Sequence, residues 1–126
     1  MKVIINHSSM IPIYEQIVSQ IKNLIVKGEL VENNALPSVR MLSKELRISA
    51  LTVKKAYDYL EQEGFTATIH GKGTYVNVQN KQLIHEEMKK EIEQDLERIL
   101  VKAKQSGMTK VEVKELLDIL LEEIND

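Results

Sequence analysis

Four polar side chains, Ser49, Thr52, Lys54 and Lys55, stand close together in this chain, with Arg40 shortly upstream and Gly71-Lys72-Gly73-Thr74 downstream. Hydroxyls and backbone N–H groups bind phosphate oxygens, and Lys or Arg reaches phosphate or the guanine edge. The combination therefore suits a polyanion whose bases can be read. Gly71-Lys72 is followed by Gly rather than Ser or Thr, and by a β-prone run rather than a helix, so it is no nucleotide-phosphate loop. Small residues there instead make a turn whose backbone can approach a sugar-phosphate surface, with Lys72 supplying charge.

Other chemistry lacks its residues. His7, His70 and His85 are scattered without ligand spacing, and the chain has no cysteine, so no metal site is expected. No serine is paired with a base, which leaves no catalytic residue and no cofactor to expect. His85-Glu86-Glu87 and the later acidic runs read as solvated helix faces.

Helical spacing and capping residues supply the elements that must position these groups. Residues 2–5 are a β-prone run, an edge strand or arm. Pro12 suits the first turn of helix 1, whose Tyr14, Ile17, Ile21, Leu24 and Ile25 repeat until Gly28. Ser38 caps helix 2, with Val39, Leu42 and Leu46 inward, and Arg47-Ile48 is the turn. Ser49 caps helix 3, whose Val53, Ala56, Tyr57 and Leu60 face inward and which Gly64 closes. An ordinary core helix accounts for that apolar side but not for Ser49, Leu51, Thr52, Lys54 and Lys55 at its start. Residues 65–69 and 74–78 form a hairpin around His70, Gly71, Lys72 and Gly73.

Helix, tight turn, helix and two-stranded wing is an arrangement that places a helix start in the major groove of DNA. Residues 1–78 form this winged helix-turn-helix domain, and 79–82 read as a linker. Beyond it Ile84, Met88, Ile92, Leu96, Ile99, Leu100 and Ala103 mark one face of a long helix ending at Ser106-Gly107. A final helix opens on a Thr109/Glu112 capping box and carries Val113, Leu116, Leu117, Leu120, Leu121 and Ile124. Such a pair cannot hide two apolar stripes by itself. Residues 79–126 thus read as a two-helix dimerisation hairpin, contributing Ile84, Met88, Ile92, Leu96, Ile99, Val113, Leu116, Leu117, Leu120 and Ile124. The fold class is α+β, mainly α.

Charge is distributed accordingly. The chain has 126 residues and a net charge of −2, yet residues 1–78 carry nine basic and seven acidic side chains, against eight and twelve from 79 onward. Acid collects in the tail and leaves the front free to meet phosphate. Absence of cysteine fits a reduced cytoplasm. No segment approaches the roughly 20 apolar residues of a membrane span, and the N-terminus has no apolar core of signal-peptide length.

These residues carry a family likeness. Leu36-Pro37-Ser38-Val39-Arg40, Ser49 with Thr52-Val53, Ala56-Tyr57, Leu60-Glu61, Glu63-Gly64 and Gly71-Lys72-Gly73-Thr74-Tyr75-Val76 resemble the winged helix-turn-helix of the GntR family of bacterial transcription regulators. Pro12-Ile13-Tyr14-Glu15-Gln16-Ile17 resembles its first helix. The likeness spans residues 10–78, and the short tail is similar to the YtrA-like subgroup, often repressors of transporter operons. It implies DNA contacts at Arg40, Ser49, Thr52, Lys54, His70, Gly71 and Lys72. Many relatives have Arg where Ala50 stands and Gly where Arg47 stands. A guanine reader is thus missing at 50, and Leu51 could contact thymine methyl groups instead.

The sequence therefore points to a homodimeric regulator, a repressor more readily than an activator, whose partners are a palindromic double-stranded operator and a second copy of itself. No membrane partner is expected, and no small-molecule effector is specified. A winged-helix module for protein contacts stays open as the alternative; a small-molecule enzyme has no catalytic constellation to support it.

Overall fold

The computed structural model describes residues 1–79 and 81–124; Asn80, inside the expected linker, lies outside the described residues, as do Asn125 and Asp126. The order is α1 (Ile13–Val26), α2 (Val39–Leu46), α3 (Ala50–Gln62), β1 (Thr66–Ile69), β2 (Gly73–Val76), α4 (Lys81–Gln105) and α5 (Lys110–Ile124). Contacts divide the chain into two compact units, Met1–Met88 and Lys89–Asp126.

In the first unit, α1 turns Ile17, Val18, Ile21 and Ile25 inward and α3 turns in Val53, Ala56, Tyr57 and Leu60. The two helices pack on each other, and α2 adds Leu42 against α3. Phe65 and Val76 from the hairpin, and Val3 from the N-terminal arm, complete the core. Each large apolar side chain so buried is worth about 1.5–3 kcal/mol. The core also takes in the start of α4, whose Leu83 and Ile84 pack against it. Lys22 on α1 closes this junction, with its ammonium 2.5 Å from Glu63 and 3.5 Å from Glu87.

Capping follows the sequence. The Ser38 hydroxyl accepts from the Met41 amide at 3.0 Å, and Ser49 accepts from Leu51 at 3.1 Å. Pro12 stands one position earlier than expected, as the N-cap of α1 with ψ 144°. Its extended backbone turns the chain into the helix instead of continuing it.

Residues 2–5 form an arm and not a strand. The Gln20 side-chain amide brackets Ile4, accepting from its N–H at 2.9 Å and donating to its C=O at 2.7 Å, and Gln16 brackets Asn6 in the same way. A primary amide offers the same donor and acceptor as a neighbouring strand, so the arm is paired without one. The loop before α2 is more ordered than its sequence implied. Ala35 bridges Tyr75, Leu36 N donates to Thr74 O at 2.9 Å, and Val76 N donates to Asn34 O at 2.8 Å. β2 is therefore covered on its outer edge as well as by β1. It starts at Gly73 and stops at Val76, two residues short of the expected end, because Val76 opposite Thr66 is the last rung.

The second unit holds the rest of α4 and α5. Gly107, at φ +86°, turns the chain, with Met108 N donating to Ala103 O at 3.1 Å. Thr109 and Glu112 then exchange two 3.1 Å bonds as the capping box. Neither helix buries a residue among those described.

The turn between α2 and α3 has one strained position. Arg47 adopts φ 55°, ψ 47°, in the left-handed region, held there by Ser43, whose hydroxyl donates to Ile48 O at 2.6 Å. A side chain at such a position costs about 1–2 kcal/mol, which glycine avoids. Arg47→Gly should therefore raise the stability by about 0.5–1 kcal/mol once glycine's extra unfolded-state freedom is counted. Urea melts followed by circular dichroism check this, and an unchanged or lower midpoint would show that the turn is not strained.

Candidate nucleic-acid interface

Two helix starts and one hairpin tip carry the candidate residues. Arg40 lies in the first turn of α2, two residues after the Ser38 cap; it is exposed and makes no ion pair among the described residues. Ser49, Leu51, Thr52, Lys54 and Lys55 occupy the first turn and a half of α3, where all but the half-buried Thr52 are exposed. The Ser49 oxygen is engaged as a cap, which leaves its O–H free to donate to a phosphate.

Two hydrogen bonds set α2 against α3. Tyr57, with its ring in the core, donates from its hydroxyl to Pro37 O at 2.7 Å. Burial, with Glu45 adding its charge, pushes the phenol above its ordinary pKa, so the donor stays protonated. Ser43 closes the turn at Ile48 O. Nothing in the sequence marked Tyr57 or Ser43 as positioning residues, since their partners lie beyond helical spacing.

The two lysines of α3 differ. Lys54 Nζ is 2.9 Å from Asp58 one turn on, with both side chains about 60% exposed. Lys55 Nζ lies 4.0 Å from the centre of the Tyr14 ring on α1, and that ring meets Tyr59 edge-on at 6.4 Å. Its hydrogen bond to Glu15 raises the Tyr14 phenol's pKa. Lys55 thus braces α3 against α1 while remaining exposed.

The wing tip stands clear of the unit. Gly71 and Gly73 have φ +78° and +111°, and nothing lies within 4 Å of where a Cβ would sit on either. Lys72 N donates to Ile69 O, and Tyr75 donates from its hydroxyl to Lys72 O, both at 2.9 Å. The facing hydroxyls of Thr68 and Thr74 meet at 2.9 Å. His70, Gly71 and Lys72 are all exposed on this braced tip. Tyr75 is a further positioning residue that spacing alone did not single out.

Other expected positions divide. Ile84 packs with Leu83 on the first unit's core, whereas Met88, Ile92, Leu96, Ile99, Leu116, Leu117, Leu120 and Ile124 are exposed. Among the described apolar side chains of the second unit, only those flanking the turn, Ala103, Met108 and Val113, are partly covered. The three histidines sit on three separate segments, and no His, Cys, Asp and Glu group among the described residues is placed to hold a metal. No described helix is long and apolar enough to cross a membrane.

The same arrangement occurs in known proteins. A family model described as bacterial regulatory proteins, gntR family, matches residues 13–76. The chain is 38% identical over 104 residues to the HTH-type transcriptional repressor YtrA of Bacillus subtilis, a match that covers 82% of this chain and 80% of that protein. A crystal structure of a transcriptional regulator from Oenococcus oeni aligns with TM-score 0.72 and 30% identity, over 93% of this chain and 97% of that one. AraR(DBD) in complex with operator ORX1 aligns with TM-score 0.54 and 25% identity, over 60% of this chain and 95% of that one. Head, wing and helical tail all have counterparts among transcription regulators. The chain belongs to the GntR family, in its short YtrA-like group, and is a transcription regulator that binds double-stranded DNA.

Proposed function

We propose that this chain is a homodimeric repressor acting in the cytoplasm, with residues 1–78 as its DNA-binding head and 79–126 as its dimerisation tail. The head places the start of α3 in the major groove of each half of a palindromic operator. Arg40, Ser49, Thr52, Lys54 and Lys55 contact phosphate and base edges, and His70, Gly71 and Lys72 bring the wing to the neighbouring backbone. The likeness to YtrA-like regulators supports a transporter operon as the target.

The observation that carries the reading is the bareness of the tail. α4 and α5 bury no residue, yet they expose Ile92, Leu96, Ile99, Leu116, Leu117 and Leu120. Exposed apolar side chains in such number mark an interface. A two-fold contact with an identical tail covers them on both copies and doubles the recognition helices. A protein-contact module would need the bare tail but not the exposed basic residues of α2, α3 and the wing.

Light scattering on the full-length protein, joined to gel shifts on a palindrome selected from random duplexes, tests the reading. A dimer is expected, and Leu96→Glu should yield monomers whose operator affinity falls by about 10²–10⁴, the scale of linked binding events. A parent that stays monomeric at tens of micromolar, or a monomeric variant that holds the palindrome equally well, would overturn it.

The head makes two further tests available. Arg40→Ala should weaken operator binding by about 1–3 kcal/mol if its contact is bidentate; affinity within twofold of the parent would remove Arg40 from the interface. Asp58 competes with phosphate for Lys54. Its exposed pair is worth about 0–1 kcal/mol, and a charge-assisted bond to phosphate is worth more. Asp58→Asn should therefore tighten DNA binding severalfold at fixed salt and change stability by less than about 0.5 kcal/mol. Weaker binding would show that Asp58 orients Lys54 instead.

A further inference from the structure

Leu51 is 77% exposed near the start of α3, where an apolar side chain of its size packs on no core residue among those described. It belongs neither to the core nor to the residues packed against it. At about 100° per residue, it falls opposite Val53, Ala56, Tyr57 and Leu60, which fill the buried side of the helix. It therefore shares a stripe with Lys54 and Asp58. Its neighbour Ala50 is also exposed and too short to reach a base edge. The leading turn of α3 thus offers an apolar contact where a hydrogen-bonding side chain could have stood.

The major groove presents one apolar group, the 5-methyl of thymine. We propose that Leu51 is a specificity-determining residue, packing its side chain on a thymine 5-methyl group in each operator half-site. The inference rests on the reading of α3 as the helix that enters the major groove. It explains why the exposed face mixes one large aliphatic residue with lysine: the lysine supplies charge, and the leucine selects among bases that charge cannot tell apart.

The test removes the methyl group and nothing else. Full-length protein selects duplexes from a random pool, and each thymine of one selected half-site is then replaced by deoxyuridine, which keeps every hydrogen bond of the base pair. Anisotropy titrations compare the parent with Leu51→Ala and Leu51→Met. At one position the parent should lose about fourfold on uracil, the equivalent of about 0.8 kcal/mol for one buried aliphatic carbon. Leu51→Ala should bind the two duplexes equally, and Leu51→Met, which keeps an aliphatic reach, should retain the preference for thymine. Circular dichroism should stay unchanged in both variants, because Leu51 contributes nothing to the core.

A parent that binds every uracil duplex as tightly as the thymine duplex overturns the proposal. So does a Leu51→Ala variant that keeps the parent's discrimination. Both results leave DNA binding by α3 standing. A pool that yields no enriched duplex removes that reading, and the proposal with it.

Discussion

Burial of one face of α3 is the constraint on which the head depends. Val53, Ala56 and Leu60 have no solvent exposure, and α1, α2 and β1 all pack on this helix. A helix anchored along its whole inner side presents its outer side in one orientation, and a recognition surface needs placement to within about 0.5 Å. Tyr57 extends that control to α2. Its ring belongs to the core of α3 and its hydroxyl holds Pro37 O, so one residue fixes both helix starts that carry the candidate contacts. The carbonyl is partly buried, so losing that donor would cost some fraction of the about 1–3 kcal/mol of a fully buried unsatisfied group. Orientation and stability therefore come from the same packing.

Electrostatics in the head are arranged for exchange. Lys54 rests on Asp58, and Lys55 rests on the Tyr14 ring. In water such contacts are weak, because solvent screens exposed charges. Beside a phosphate the balance changes: a charge-assisted bond gains about 1.5–3 kcal/mol, and counterions are released as well. The internal partners keep long side chains in order without trapping them. Lys22 is different. With its side chain mostly covered and two carboxylates beside it, it ties α1, α3 and the start of α4 together and is not free to meet DNA.

What the sequence disclosed was local. Ser38, Ser49 and the Thr109/Glu112 box announce themselves because a cap bonds an amide two or three residues on. The wing was legible from glycines at positions that need positive φ, Gly71 and Gly73. Long-range pairings were not legible. The bracketing of Ile4 by Gln20, the bridge from Ala35 to Tyr75 and the seat of Lys55 on Tyr14 join distant residues, and no periodicity encodes them. The same limit explains Ile84, which continues the tail's apolar stripe in sequence yet packs on the first unit's core. For the candidate site, the sequence offered residue types and spacing; it did not disclose the partners that position them, Tyr57, Ser43 and Tyr75.

The charge of the head is too small to make one copy a strong ligand for DNA. Nine basic side chains against seven acidic ones leave little excess, and Lys22 among them is already engaged. Each phosphate contact adds an increment that salt erodes, so under the proposed reading either head alone would engage its half-site weakly at physiological ionic strength. The tail, with twelve acidic residues against eight basic, adds no attraction for a polyanion. In the proposed dimer its contribution is linkage: once one head is seated, the second meets its half-site at an effective concentration in the millimolar range. In that dimer a weakly charged head becomes an asset, since it holds loosely to every site that offers only one half.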